Sequence, residues 1–232
     1  MLGRVFAEIK GLFKNPDLFF RECVRLGIDS APLVLIVGVF TGAVQGWQSH
    51  YQLEGYVPFD LIGPATYKSL VLELGPVLTA LIIAGRVSAS IAAELGSMKI
   101  TEQIDALESM AISSIRYLAL PRIAAMTFMM PVLVIQAVFI AVMGAAFVLI
   151  ILLGLTSVQF WGLIPNFFDL YDIFSCLFKS LLFGLSSSVI GCYIGFRTTG
   201  GAEGVGASTI LAFVWACLAI LVLDFILAML LF

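Results

Sequence analysis

The chain has 232 residues, of which 61% are hydrophobic and 12% charged, and its mean hydropathy is +1.11. That composition excludes an ordinary soluble domain, which needs far more polar surface, and indicates an integral membrane protein. A net charge of −3 argues against nucleic acid as a partner.

Residues 1–29 form an arm of mixed charge with Arg4, Lys10, Lys14, Arg21 and Arg25. The first apolar run begins only near residue 31, so a cleavable signal peptide is not expected. In "NPDLFFRECVRLG", Asn15 suits an N-cap and Pro16 the first helical position. Leu18, Phe19, Cys23 and Leu26 then share one face, with Arg21 and Arg25 on another. This predicts a helix in the membrane interface with its bases near lipid phosphates.

A membrane crossing needs roughly 20 apolar residues. The first span is expected near 30–50, and the second over 68–93, interrupted by Glu73 and Arg86. Residues 123–168 carry no charge and are too long for one crossing. A third span therefore ends near Gly154, with Pro131 as a candidate kink, and "GLTSVQFWGLIPNFFDLYD" forms a separate outer segment. The fourth span covers 173–196 and the fifth 206–231. Cys176, Cys192 and Cys217 fall inside apolar segments and Cys23 in the arm; no two have metal-ligand spacing, so they read as small hydrophobes.

Lys and Arg set the orientation. The loops at 51–67 and 154–172 have neither, whereas the loop at 94–122 has Lys99, Arg116 and Arg122 and the loop at 197–205 has Arg197. The positive-inside rule puts the N-terminus in the cytoplasm, and five spans put the C-terminus outside.

Small residues recur at four-residue spacing. Span 2 has Ala80, Ala84, Ser88 and Ala92, beside a second stripe of Gly85, Ala89 and Ala93; span 4 has Gly184, Ser188, Gly191 and Gly195. Such stripes let helices approach closely, within one chain or between two.

The costly residues in the bilayer are Glu73, Arg86, Lys179 and Asp224. Counted from the outer ends of their spans, Glu73, Lys179 and Asp224 lie about 9, 10 and 12 Å deep, in one layer. Two readings follow: a structural ion pair of Lys179 with Glu73 or Asp224, or the polar wall of an outward-open cavity in which Lys179 meets an anionic headgroup. Gln45, Gln48 and Gln136 add polar groups suited to interhelical hydrogen bonds.

The cytoplasmic stretch "AAELGSMKITEQIDALESM" at 92–110 is polar for this chain. Gly96 is expected to break span 2 there, and Thr101 to cap a short helix whose first turn holds Glu102. Ile104, Leu107 and Ala111 form a stripe, with Glu102, Asp105 and Glu108 on the polar side. Acids disfavour the anionic cytoplasmic leaflet, so docking to a cytosolic protein is the better use.

The block "ELGPVLTALIIAGRVSASIAAELGSMKITEQIDALESMAI" at 73–112 strongly resembles the MlaE/YrbE permease family, as do "TTGGAEGVGASTI" at 198–210 and "LDFILAMLLF" at 223–232. The likeness covers essentially the whole chain. It implies an all-α integral membrane protein, a single permease domain over 1–232 with an interfacial N-terminal helix and five transmembrane helices. The N-terminus would be cytoplasmic and the C-terminus periplasmic, in a bacterial inner membrane. Such permeases are membrane subunits of ABC-type lipid transporters that maintain outer-membrane lipid asymmetry. Implied partners are a second copy, a cytoplasmic ATPase that binds ATP and Mg, a periplasmic MCE-domain protein, a STAS-domain protein and phospholipid. The resemblance implies a lipid pocket at Glu73, Lys179, Leu70, Val77, Gln48 and Asp224. It implies ATPase coupling through Glu94, Thr101, Glu102, Gln103, Ile104, Asp105, Leu107 and Glu108, with the coupling helix near 101–110. The chain departs from the family pattern at Leu72, where Arg is frequent before the Glu, at Lys99 for Arg, and at Ala207 for Arg.

Two other classes of membrane protein fit the sequence less well. An intramembrane lipid-modifying enzyme needs an activated nucleophile or paired acids. The only histidine, His50, lies at the outer edge, far from the serines of "GLSSS" at 184–188. A passive channel gives the docking helix no purpose. "GGAEGVG" at 200–206 lacks the lysine of a phosphate-binding loop, so ATP is expected on another subunit.

Overall fold

The structure is a computed structural model that describes residues 16–231, helical with no strand among those residues. Arg4, Lys10, Lys14 and the N-cap expected at Asn15 lie outside the described residues. Five helices are long and apolar enough to cross a membrane: span 1 (Pro16–Leu53), span 2 (Phe59–Ile100), span 3 (Ile115–Leu152), span 4 (Leu170–Gly195) and span 5 (Gly201–Leu231). Spans 1–3 extend past their apolar runs: span 1 takes in the arm from Pro16, and spans 2 and 3 begin at Phe59 and Ile115. The arm runs into span 1 without a break; a π-turn at Cys23–Gly27 and a 3-10 turn at Ile28–Ser30 mark the junction. Further π-turns at Leu70–Leu74 and Ala84–Ser88 sit inside span 2. Each adds a residue to its turn and so rotates the faces that follow.

Residues divide into two compact units. One comprises Ala31–Thr79 and Val132–Ser180. Its centre is a glycine seam. Gly38, Gly42 and Gly46 of span 1 lie against the backbone at Ala137, Ala141 and Ala145 of span 3. A Cβ on Gly42 would stand 1.8 Å from the Ala141 carbonyl oxygen, so only glycine permits this approach. The segment at 154–172, expected as an outer connection, contains a helix at Ser157–Phe167. Phe160 of that helix is buried against Gly63 and joins Ile62, Leu70 and Leu149 in the unit's apolar core.

The other unit comprises Ala80–Pro131 and Leu181–Phe232 with the arm up to Ser30. Here the stripes of spans 2 and 4 meet. Gly191 faces Ser88, and Gly195 faces Ala92 and Leu95. The Ser88 hydroxyl donates to the Ser187 carbonyl at 3.0 Å. In these contacts Ser88 and Ala92 of span 2 and Gly191 and Gly195 of span 4 serve packing within one chain. Gly96 does not break span 2, as the sequence suggested. It continues the helix Ala89–Ile100 and is buried where a Cβ would meet the Thr198 hydroxyl at 2.8 Å. Its small size serves packing rather than termination. Pro131 lies inside a continuous helix, Leu120–Phe147.

Candidate functional site

In the first unit, spans 2 and 4 exchange two ion pairs of opposite sense. Lys179 Nζ lies 2.8 Å from Glu73 Oε1 and also donates to the Leu72 carbonyl at 3.3 Å. Lys68 Nζ lies 3.3 Å from Asp172 Oδ2. In both pairs the span 4 member is buried, with Lys179 at 0% and Asp172 at 8% side-chain exposure. The span 2 members are open, Glu73 at 43% and Lys68 at 41%. Asp172, Ser175 and Lys179 follow one face of span 4, and Ser175 Oγ is buried without a hydrogen-bond partner.

Glu73 meets Lys179, one of the ion pairs that their shared layer predicts. The roles are reversed, however: the lysine is buried and the carboxylate faces outward. Lys179 therefore neutralises Glu73 from behind, and Glu73 is the group available for contact. Of the other expected pocket residues, Leu70 is fully buried in the apolar core and offers no surface to a ligand. Val77 is half-buried and Gln48 exposed, while Asp224 belongs to the other unit and is half-buried. Gln45, rather than Gln48, makes hydrogen bonds, to Ser49 and Ser69, both at 3.3 Å. Lys68 and Asp172 were missed. Both sit at the edges of apolar runs, where charges are common, and nothing in the sequence pairs residues so far apart.

The second unit carries the loop helix, Gln103–Ser109. Thr101 is not its N-cap. Its hydroxyl bonds back to the Ser97 carbonyl at 2.8 Å and closes the preceding helix. Glu102 occupies the N-cap position instead, in the left-handed region at φ 56°. The far end has a second left-handed residue, Ala111 at φ 59°. There the Ala111 and Ile112 amides donate to the Glu108 and Leu107 carbonyls at 3.0 and 3.1 Å, which closes the helix in a Schellman arrangement. Lys99 Nζ binds Asp105 Oδ1 at 2.7 Å, and the Ser114 hydroxyl binds Glu108 Oε1 at 2.8 Å. Ile104 is buried, whereas Glu102, Gln103, Asp105 and Glu108 are exposed. Leu107 lines an apolar groove of about 330 Å³ with Met98, Met110, Tyr117 and Leu118.

Glu94, expected at the coupling site, does different work. Both its oxygens bind the Arg25 guanidinium at 2.8 Å, and Arg122 Nη2 lies 3.1 Å from Oε2. Glu22 completes the group, 3.0 Å from Arg25 and 3.6 Å from Arg122. Two acids and two arginines thus tie the arm to spans 2 and 3, with Arg122 only 4% exposed. Arg25 therefore meets Glu94 and Glu22, whereas lipid phosphates were expected. Arg86, the other cation inside span 2, bonds to the Ser30 hydroxyl at the end of the arm.

Five spans long and apolar enough to cross a bilayer, with Glu73 and Lys179 paired inside one unit, define a multi-pass membrane protein. The model of the family "Permease MlaE" matches residues 19–230, and the chain belongs to this family of ABC transporter permeases. It is 39% identical to a probable ABC transporter permease protein of Synechocystis, over all of this chain and 88% of that protein. It is 38% identical to one of Rickettsia typhi, over 98% and 89%. The intermembrane phospholipid transport system permease protein MlaE of Haemophilus influenzae is 34% identical, over 94% and 84%. The relatives are thus named as transport subunits.

Proposed function

We propose that this chain is the membrane subunit of an ABC-type transporter that moves phospholipid between a bacterial inner membrane and an MCE-domain partner on the periplasmic side. Two copies enclose the lipid, and each docks a cytoplasmic ATPase that holds ATP and Mg. A STAS-domain protein is a further expected member. The direction Lys and Arg give puts the loop helix inside and the Glu73–Lys179 layer near the outside.

The observation that carries this reading is the loop helix. It is short, exposed on its polar side, and bracketed by two left-handed residues and two side-chain ties, Lys99–Asp105 and Ser114–Glu108. A lever needs this stiffness: force applied to Gln103–Ser109 reaches span 2 at Lys99 and span 3 at Ser114 without being lost in a loose loop. ATP-driven closure of the ATPases would so act on the membrane helices at either end of the loop helix. The phospholipid assignment is supported by the Haemophilus relative's name and by a half-exposed carboxylate and lysine inside an apolar span.

Purification from native membranes with its neighbouring gene products, followed by protein and lipid mass spectrometry, tests the reading. An ATPase, an MCE-domain protein and bound phospholipid are the expected companions. A lone chain without ATPase or lipid would overturn it.

A further inference from the structure

The two ion pairs of spans 2 and 4 are arranged so that one helix supplies the buried charge and the other the open one. Buried Asp172 holds Lys68, and buried Lys179 holds Glu73. What span 2 presents is therefore a cation and an anion in a fixed order, Lys68 first and Glu73 five residues on.

Their alignment depends on the π-turn at Leu70–Leu74. In an unbroken α-helix, residues five apart point about 140° away from each other. The wider turn narrows that angle, since each step inside it rotates less than in an α-helix. Both side chains consequently reach the same face of span 4, where Asp172 and Lys179 are seven apart and in line. Along the axis the two open charges stand about 7 Å apart. Between their partners lies Ser175, 1% exposed, its hydroxyl without a hydrogen-bond partner. A buried free hydroxyl is costly and marks a place where a polar group belongs.

Resting on the phospholipid reading above, we infer that Lys68 and Glu73 read the headgroup of a zwitterionic phospholipid with a primary ammonium group. Lys68 takes the phosphate and Glu73 the ammonium. An anionic lipid satisfies Lys68 but brings no cation to the open side of Glu73, so it forgoes that contact. A primary ammonium donates hydrogen bonds to a carboxylate, and such charge-assisted bonds are the strong ones. Buried Lys179 offsets the charge of Glu73 without occupying its open side.

The test uses the chain purified with its native assembly and reconstituted in vesicles of equal parts phosphatidylethanolamine and phosphatidylglycerol. Re-extracted protein is analysed for bound lipid. Phosphatidylethanolamine is expected to exceed phosphatidylglycerol roughly tenfold in the bound fraction. In Glu73→Gln, whose side-chain oxygen still accepts from Lys179, the ratio should fall toward that of the vesicle while total bound lipid persists. In Lys68→Met, total bound lipid should fall and the remaining preference for the amine survive. A wild-type ratio equal to that of the vesicle, or a ratio unmoved by Glu73→Gln, overturns this inference and leaves the lipid permease reading standing. No bound phospholipid in the wild type overturns the phospholipid reading on which the inference rests. The wild-type ratio decides the inference even if a variant does not insert.

Discussion

Lys179 has no exposed surface, yet its Nζ lies 2.8 Å from a carboxylate oxygen of Glu73, whose side chain is 43% exposed. The pair is thus unequal in what each member loses when the other is removed. Glu73→Leu strands an ammonium in the helix interface, a loss of about 3–5 kcal/mol. Lys179→Met leaves a carboxylate that can still find water or headgroups, and should cost about 1–2 kcal/mol. Thermal unfolding in detergent should therefore rank Glu73→Leu well below Lys179→Met, with the double variant recovering part of the loss. Equal losses would show that the difference in burial does not govern the pair.

Glu94 holds the arm to the rest of its unit through Arg25, while Arg122 holds both Glu94 and Glu22. Arg122 is nearly buried, so weakening its acid partners leaves a cation poorly compensated. Glu94→Gln is expected to destabilise the chain by about 2–4 kcal/mol. It should also raise amide hydrogen exchange over residues 16–30 more than over span 5. Unchanged exchange in that stretch would mean that apolar contacts such as Phe19 on Phe128 hold the arm unaided.

The glycine seam predicts a sharp contrast between positions. A Cβ at Gly42 would stand 1.8 Å from the Ala141 carbonyl oxygen, which cannot move without separating spans 1 and 3. Gly42→Ala should cost at least about 3 kcal/mol, from overpacking and lost backbone contact. Gly206 has nothing within 4 Å and lies in the helix Gly201–Leu231. Gly206→Ala should be neutral or stabilise by up to about 1 kcal/mol. Melting temperatures of the two variants beside the wild type decide the matter.

Much of this architecture was legible because a bilayer imposes length and polarity on helices. The five spans, the short loop helix and the meeting of Glu73 with Lys179 all follow from counting apolar residues and depth. Three features did not. The arginine–glutamate group joins residues 22, 25, 94 and 122, and no local pattern links such distant positions. The π-turn at Leu70–Leu74 changes the helical phase along span 2, where Leu70 lies in the core and Lys68 and Glu73 both reach span 4. Periodicity with a fixed step of 3.6 cannot see that shift. Gly96 and Thr101 misled in a different way. Glycine and threonine end helices when exposed, but buried Gly96 relieves crowding against Thr198, and the Thr101 hydroxyl turns back to Ser97. Burial decides between these uses, and it belongs to the fold rather than to the residue.

The loop helix supplies the most direct test of coupling, because its stability and its surface can be changed separately. Ala111 sits at φ 59°, a region that costs a residue with a Cβ about 1–2 kcal/mol. Ala111→Gly removes that strain and should leave ATPase binding intact, with a slight gain in the helix's resistance to exchange. Leu107 lines the apolar groove beside Met98, Met110 and Tyr117, and it is part of no ion pair. Leu107→Asp adds a charge to that contact without touching Lys99–Asp105 or Ser114–Glu108. Membrane insertion and yield should stay near wild type, while the ATPase recovered with the chain should fall at least about tenfold, as for loss of a buried apolar contact facing a new charge. Wild-type ATPase recovery with Leu107→Asp would show that the ATPase docks elsewhere. Loss of recovery with both variants would show that the helix acts through its closing turn rather than through its apolar face.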